Sequence, residues 1–464
     1  MIQTPRPRRA YVETYGCQMN ISDGELMEGV LAADGFEIVR SPEEADVVLV
    51  NTCAIREHAE KRVLGRVAQL NGLKRERPEM VIGVTGCMAQ RMGETLLAEA
   101  PYVDLVMGPD GYRALPEALA RVSSDGTVLP SRGGMPKRKR GPQLSVLTLD
   151  LDENYQGLEQ RRADGPSAWV PIQRGCDHRC TFCIVPHVRG GEKNRSADEV
   201  VAEVRGLTRR GDTEVTLLGQ TVSSYGWNDV SFPDLLRRVA RVDGIRRVRF
   251  TSPHPNDVTR ELVEVMADEP AVCEHLHLPV QSGNDRTLKR MLRRHTVAAY
   301  LEKVAMVRAA IPDVALSTDV IVAFPGETDE EFRDTLALMR TVRYDEAFTY
   351  KYSPREGTPA TRLPADQFID GAEAQHRLER LIDVARGVQA EISEAEVGRV
   401  EEVLIEGEGR DAGQVRARSR RNKVVVFDAD AARVGAYTRA RLDGTTGSTF
   451  TGSEVVHRGP AVVR

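Results

Sequence analysis

The stretch WVPIQRGCDHRCTFC, residues 169–183, joins an apolar run to three closely spaced cysteines. The run is typical of a strand, and Cys176, Cys180 and Cys183 follow it within eight positions. Thiolates this close together suit a shared soft metal ion or an iron–sulfur cluster. Three cysteines on a four-iron cluster would leave one iron open to a substrate or cofactor. The count therefore favours chemistry over electron storage.

Two other uses of these cysteines need to be weighed. A disulfide framework fits poorly, because the chain has seven cysteines and its start, MIQTPRPRRAYV, lacks the apolar segment of a secretory signal. We therefore expect a cytoplasmic protein with reduced thiols. Structural zinc is the stronger competitor, with His178 or His187 as a fourth ligand. No apolar run is long enough to span a bilayer, so we expect no membrane partner.

Length and composition predict a multidomain globular protein. The 464 residues should form two to four domains, and the 41% hydrophobic and 29% charged content is ordinary for such chains. A formal net charge of -5 argues against a uniformly basic nucleic-acid binder. Two local basic runs remain, KRKR at 137–140 and RARSRRNK at 416–423. Such runs are most often solvated faces.

The first region, 1–125, alternates apolar runs with helix-like stretches, which predicts an open parallel α/β domain. Three of the runs end at Cys17, Cys53 and Cys87, which are 36 and 34 residues apart. Ligands of such sheets bind outside the carboxyl ends of the strands. We therefore expect the three thiols to converge, although three unrelated buried cysteines are the alternative.

The middle of the chain predicts a second α/β domain. Residues 126–168 have no sustained period and are predicted to be a linker, whereas 169–394 contain six strand–helix units and end in a long charged helix over 371–394. Six units predict a partial (β/α)6 barrel with its site at the C-terminal mouth. Cofactor-binding candidates follow its strands, with loop caps as the alternative: Gln220, Ser252, Gln281, Ser282 and Pro325.

The last region, 395–464, changes character. Short strand-like runs separated by glycine-bearing turns predict a small antiparallel β-barrel. Barrels of this kind often bind RNA, and the alternative is a module for packing or for a protein partner. We expect the basic run to supply phosphate contacts through its cations, which are Arg416, Arg418, Arg420, Arg421 and Lys423.

Taken together, these motifs resemble, almost end to end, the radical S-adenosylmethionine (SAM) methylthiotransferases. The triplet Cys176-x3-Cys180-x2-Cys183 resembles the radical SAM signature, and YGCQMN, NTCAIRE and GCMAQ resemble the family's N-terminal cluster domain. RSRRNKVVVF resembles the core of a TRAM domain. CIVPHVRG, LLGQTVSSYG, HLPVQSGN and YSPREGTPA are most similar to the MiaB branch, which acts on tRNA. His187 stands where that branch usually has tyrosine or phenylalanine, and Ala323 where it usually has glycine.

The resemblance implies two [4Fe-4S] clusters. Cys176, Cys180 and Cys183 would hold one, whose open iron binds SAM before reduction gives a 5′-deoxyadenosyl radical. A second set would hold another cluster, whose open iron carries the sulfur that is first methylated and then transferred. That set comprises Cys17, Cys53 and Cys87. Two open irons would match two tasks.

The resemblance also implies a reaction and its partners. The MiaB branch adds a methylthio group to C2 of N6-isopentenyladenosine at position 37, next to the anticodon. Its partners would be the anticodon stem–loop of tRNA, SAM, a sulfur donor and a reducing protein such as flavodoxin or ferredoxin. Two alternatives stay open: a sister enzyme acting on threonylcarbamoyl-adenosine in tRNA or on a ribosomal-protein aspartate, and a non-catalytic iron–sulfur or zinc protein that binds RNA.

Overall fold

The computed structural model of the chain describes residues 6–54, 57–124, 143–150, 152–162 and 165–455. The run KRKR at 137–140 lies outside the described residues. The chain forms two compact units. The first comprises 1–163, 174–177 and 184–193, and the second comprises 164–173, 178–183 and 194–464. Among the helices of the described residues, none has the length and apolar content needed to cross a membrane.

The first unit contains a six-stranded parallel sheet with helices on both faces. Two central strands are buried at every position, as expected for parallel strands that are covered on both sides. This confirms the predicted open α/β architecture. In spatial order the strands are Glu37–Ile38, Arg9–Tyr15, Val47–Thr52, Val81–Gly86, Leu105–Met107 and Leu144–Val146. The helices are Gln18–Ala33, Glu57–Glu76, Cys87–Met92, Glu94–Glu99, Leu115–Ser124 and Val185–Arg189, with a 3-10 turn at Tyr112–Ala114.

Part of the segment predicted as a linker belongs to this sheet. Leu144–Val146 pairs in parallel with Leu105–Met107 and forms its sixth strand. Tyr155 is buried in the core, stacks on Tyr112 with ring centroids 5.8 Å apart and donates its hydroxyl to the carbonyl of Pro109. The linker prediction is therefore wrong for these residues. A strand of three residues is too short to show a period in the sequence.

The second unit contains six parallel strands that neighbour one another in chain order, followed by helices on the outside. This confirms the predicted partial (β/α)6 barrel. The strands are Ser167–Pro171, Glu214–Leu218, Arg247–Phe250, His275–His277, Ala315–Val322 and Glu346–Lys351. The helices are Ala197–Arg210, Phe232–Ala240, Arg260–Asp268, Asp285–Arg290, Val297–Ala310, Asp329–Val342 and Gly371–Glu396. Two-residue strands of this unit lie at Gly226–Trp227 and Val230–Ser231, and two more, Gln173–Arg174 and Lys193–Asn194, lie where the sequence passes from one unit to the other.

A closed five-stranded barrel follows the long helix. Its interior is lined by alternate apolar side chains of each strand, including Val403, Ile405 and Phe450. Four of its strand pairs are antiparallel as predicted, and one pair is parallel. Closure leaves no exposed sheet edge. In spatial order the strands are Val400–Glu408, Gln414–Ser419, Val424–Asp428, Thr449–Glu454 and Tyr437–Thr445.

Buried arginines of the third (β/α) strand attach this small barrel. Arg247 is 0% exposed, and its guanidinium donates to the carbonyls of Arg418 at 2.7 Å and Glu402 at 2.8 Å. Arg249 donates to the carbonyl of Ser419 at 2.7 Å. Charge-assisted hydrogen bonds of this kind are roughly twice as strong as neutral ones. The small barrel is therefore fixed to the larger one by charged groups that water does not reach.

We predict that Arg247→Ala destabilises the second unit by about 2–5 kcal/mol, because it leaves the carbonyls of Arg418 and Glu402 without their buried donor. Arg238→Ala is the control. Arg238 is 48% exposed and makes a 3.6 Å ion pair with an exposed carboxylate, and such pairs contribute about 0–1 kcal/mol. Urea unfolding of both variants measures the difference. Equal losses of stability would contradict the attachment described here.

Candidate functional site

Three thiols of the first unit lie at the carboxyl ends of neighbouring strands. Cys53 and Cys87 directly follow two central strands, and Cys17 lies two residues past the end of the strand beside them. The parallel register brings the carboxyl ends of these strands to the same level, so the three thiols lie at the same end of the sheet. The sequence predicted this convergence. The register aligns Tyr15 with Thr52, and Thr52 with Gly86.

The pKa values of the strand-end thiols depend on one another and on a nearby arginine. A hydrogen bond with Cys53 and the nearby Arg189 guanidinium outweigh burial and lower the pKa of Cys17 to about 6. Burial raises the pKa of Cys87, although Arg189 opposes that shift. Cys17 also donates to Asn20 Oδ1 at 3.2 Å. Because the thiolate is the metal-binding form, this corner favours ionisation of at least one ligand at neutral pH.

The backbone around the thiols is shaped by glycines. Gly86 has a φ of +91°, and a Cβ there would lie 2.5 Å from the carbonyl oxygen of Thr52. A Cβ at Gly16 would lie 2.7 Å from the Cβ of Cys53. Ala54, Ile184 and Val188 pack with Cys87 in an apolar cluster. Three clustered thiols in a tight corner fit an iron–sulfur cluster, whose ligands are soft thiolates.

A buried ion triad beside Cys87 was not predicted from the sequence. Arg189 Nε donates to Cys87 Sγ at 3.1 Å, and Arg189 Nη2 donates to Asp23 Oδ2 at 2.7 Å. Arg174 Nη1 makes an ion pair with Asp23 Oδ1, also at 2.7 Å. One signal was present in the sequence, because Asp23 lies one helical turn from the apolar residues Leu26 and Met27 and is buried with them.

The second cysteine set spans the two units along the chain. Cys176 belongs to the first unit, and Cys180 and Cys183 belong to the second. Cys176 and Cys180 are buried, and Cys183 is half-buried. Within the second unit, the amide of Cys183 donates to the carbonyl of Cys180 at 3.0 Å, and Arg293 Nη1 lies 3.5 Å from Cys180 Sγ. A cationic donor therefore lies beside one thiol in each unit.

Three residues at the C-terminal mouth of the (β/α) barrel have left-handed backbone conformations. Ser252, Gln281 and Ala323 follow the third, fourth and fifth strands, and their φ values are +55°, +71° and +57°. Such conformations cost an L-residue about 1–2 kcal/mol and concentrate at functional sites. The φ of Ala323 lies in the region that favours glycine. The alanine retains that backbone conformation despite its Cβ.

Two of the predicted cofactor-binding residues present unpaired oxygens. Gln220 follows the second strand, and Gln281 follows the fourth. The Oε1 atoms of both are buried and have no hydrogen-bond partner among the described residues. Buried polar groups are almost always paired in folded proteins. These two oxygens therefore have the character expected of ligand acceptors.

Ser282 and Pro325 have a different setting. Ser282 is fully buried, with its hydroxyl 3.4 Å from that of Thr335, so it is engaged within the fold. Pro325 is buried in a loop held by Glu327, whose carboxylate accepts from the amide of Ala323 at 2.7 Å. Burial raises the pKa of Glu327 to about 7 against the opposing effect of its hydrogen bonds. Sequence reasoning did not identify this buried carboxylate.

The histidines considered as zinc ligands are used otherwise. His178 Nε2 lies 3.1 Å from Asp257 Oδ2, and its ring stacks on that of His254 with centroids 4.0 Å apart and planes 9° apart. Two stacked rings cannot both hold one ion in their planes, so His178 and His254 do not share an ion, and Nε2 of His178 is engaged with Asp257. His187 is exposed on a short helix. This geometry gives the zinc interpretation no support.

The basic run of the small barrel faces carboxylates of its own unit. Arg421 and Lys423 are each only 8% exposed. The expectation of phosphate contacts is therefore wrong for these two buried residues, and for Arg416, Arg418 and Arg420 it stays a prediction. The partner carboxylates lie elsewhere in the sequence, so their pairing left no local signal. These pairs are Arg418 with Glu406 at 2.6 Å, Arg420 with Glu274 at 2.8 Å, Arg421 with Glu396 at 2.7 Å and Lys423 with Asp345 at 2.6 Å.

Comparison with known families divides the chain in three. Residues 170–339 match the radical SAM superfamily, 9–108 match the uncharacterized protein family UPF0004, and 394–449 match the TRAM domain. The radical SAM match implies SAM and a [4Fe-4S] cluster. The structure of the radical SAM methyltransferase TsrM from Kitasatospora setae, solved with cobalamin and a [4Fe-4S] cluster, shares the fold. Its TM-score is 0.56 at 16% identity, over 78% of each chain.

Relatives cover nearly the whole sequence. The tRNA-2-methylthio-N(6)-dimethylallyladenosine synthase of Chloroherpeton thalassium is 40% identical over 96% of each chain. The protein of the same name from a Thermoanaerobacter species is 42% identical over 96% of this chain and 92% of its own. Identity at this level over full length shows common descent, and this chain belongs to the radical SAM family of the tRNA-2-methylthio-N(6)-dimethylallyladenosine synthases.

Proposed function

We propose that this chain adds a methylthio group to C2 of N6-isopentenyladenosine at position 37 of tRNA, next to the anticodon. The observation that carries the proposal is the pair of three-cysteine sets, one at level strand ends and one in the radical SAM match. Full-length similarity to synthases named for this product supports the substrate. Neither sister substrate, threonylcarbamoyl-adenosine or a ribosomal-protein aspartate, has an observation in its favour.

In this proposal Cys176, Cys180 and Cys183 hold a [4Fe-4S] cluster that binds SAM. With SAM bound, this cofactor supplies a radical able to attack an unactivated aromatic C–H, which no side-chain base can deprotonate usefully. The chain's own contribution is to bury the thiols and to orient the substrate. Arg293 donates to Cys180 and would lower the negative charge on that ligand.

The second part of the proposal is a second [4Fe-4S] cluster on Cys17, Cys53 and Cys87. Three thiols again leave one iron open, which suits the sulfur that is to be transferred. The level strand ends and the glycine-shaped backbone place the three thiols at the same end of the sheet. Separate sets would allow the activation of adenine and the delivery of sulfur to be distinct tasks.

The remaining assignments concern binding. Gln220 and Gln281 offer unpaired amide oxygens that can accept from the hydroxyl or amino groups of SAM. Ser252 and Pro325 lie in the loops of the same mouth, and Ser282 would act by holding its loop. The tRNA anticodon stem–loop, a sulfur donor and a reducing protein such as flavodoxin or ferredoxin complete the proposed partners.

We predict that tRNA from a strain lacking the chain contains isopentenyladenosine without its methylthio group, and that the intact chain restores the modified nucleoside. Mass spectrometry of digested tRNA measures both species. Restoration of a methylthio-threonylcarbamoyl product instead, or of neither nucleoside, would overturn the proposed substrate.

A second prediction concerns the radical cluster. Cys180→Ala should abolish both 5′-deoxyadenosine and methylthio product, and the reconstituted variant should lose roughly half of its iron, because each cluster holds about four irons. Cys273→Ala is the matched control, since Cys273 is a buried thiol outside both sets. It should keep its iron and both products. Normal 5′-deoxyadenosine from Cys180→Ala would remove this cysteine from the cluster.

A third prediction separates the two sets. A variant with Cys17, Cys53 and Cys87 all changed to alanine should still cleave SAM to 5′-deoxyadenosine but should make no methylthio-adenosine. Both products are measured from one reaction, by chromatography and mass spectrometry. Circular dichroism and thermal unfolding check that the variant is folded. A folded variant that makes methylthio-adenosine at the normal rate would show that these cysteines do not carry the sulfur.

A further inference from the structure

Arg189 connects the strand-end thiols to a buried carboxylate. One side of its guanidinium donates to Cys87 Sγ at 3.1 Å, and another nitrogen donates to Asp23 at 2.7 Å. Arg174 Nη1 makes an ion pair with the other oxygen of the same carboxylate at 2.7 Å. Asp23 therefore fixes the orientation of Arg189, and Arg189 in turn fixes the sulfur of Cys87.

The triad carries a positive charge that its own carboxylate does not balance. Asp23 is 0% exposed, and Arg174 and Arg189 are each 4% exposed. Two arginines and one aspartate leave one net positive charge where water does not reach, which is costly unless an anion lies nearby. Other buried cations of the first unit, Lys193 and Arg162, each have a carboxylate partner of their own and do not share this excess.

A [4Fe-4S] cluster on the three neighbouring cysteines would have the negative charge needed to balance the triad. An oxidised [4Fe-4S] cluster on three thiolates carries one net negative charge, which neutralises the excess of the triad. One-electron reduction adds a second negative charge to the cluster. A fixed positive charge in a medium of low dielectric constant favours that reduced form more than the oxidised one.

We propose that Arg189 is a positioning residue for the group bound by Cys17, Cys53 and Cys87, and that it raises the reduction potential of that group. The proposal rests on the proposed function, since it takes a second cluster on these cysteines. Asp23 and Arg174 act through Arg189. Because Asp23 is negative, it also limits the size of the electrostatic effect.

The test uses the full chain with Cys176, Cys180 and Cys183 changed to alanine, so that one cluster remains. After anaerobic reconstitution, the reduction midpoint is measured by dithionite titration monitored by electron paramagnetic resonance. Arg189→Gln should shift the reduction equilibrium at least about tenfold toward the oxidised form, which is about 59 mV for one electron. Arg189→Lys, which keeps the charge, should shift it less.

Two further variants separate charge from packing. Asp23→Asn should move the midpoint in the opposite direction, because it leaves two positive charges beside the cluster. Arg162→Gln removes an equally buried arginine that pairs with Glu25 at 2.9 Å, and it should leave the midpoint unchanged. Loss of iron in Arg189→Gln that Arg189→Lys restores would also support the positioning role.

Several results would overturn the inference. An unchanged midpoint in Arg189→Gln, or shifts of the same sign in Arg189→Gln and Asp23→Asn, would show that the triad does not act by charge. Loss of iron in Arg189→Gln and Arg162→Gln alike would mean that any broken ion pair disrupts the unit. A parent variant that holds no iron would contradict the second cluster itself, and this inference with it.

Discussion

The register of the parallel sheet in the first unit is the constraint on which the proposed chemistry depends. Hydrogen bonding aligns Tyr15, Thr52 and Gly86, so residues far apart in the sequence end their strands at one level. A slip of one residue in any of these strands would turn its side chains to the other face. The thiols would then no longer share a corner. The glycines before Cys17 and Cys87 let the backbone approach as closely as this alignment requires.

Much of this architecture could be predicted from the sequence, because strands, helices and cysteine spacing are local signals. The three strand-end cysteines, the six strand–helix units and the long helix near 371–396 were of this kind. The triad of Asp23, Arg174 and Arg189 was not, since its members meet only in the folded chain. The strand at 144–146 was missed for a different reason, because three residues are too few to establish a repeating pattern of apolar and polar side chains.

The basic run of the small barrel has carboxylate partners that charge patterning along the sequence does not reveal. Its cations look like a phosphate-binding patch when only neighbours in the sequence are considered. In the fold, Arg420, Arg421 and Lys423 are matched to carboxylates, and Arg247 and Arg249 bind the backbone of the same strand pair. The run thus joins the two barrels of the second unit. Arg421 and Lys423 are buried as well as paired, so they are not accessible to a phosphate group.

The central claim is that the chain holds two clusters on two separate cysteine sets. The most direct measurement is iron and sulfide content with Mössbauer spectroscopy on the anaerobically reconstituted chain and on variants lacking each set. We expect two [4Fe-4S] clusters in the intact chain and one in either variant. An intact chain with one cluster, or full iron content after removal of Cys17, Cys53 and Cys87, would contradict this account.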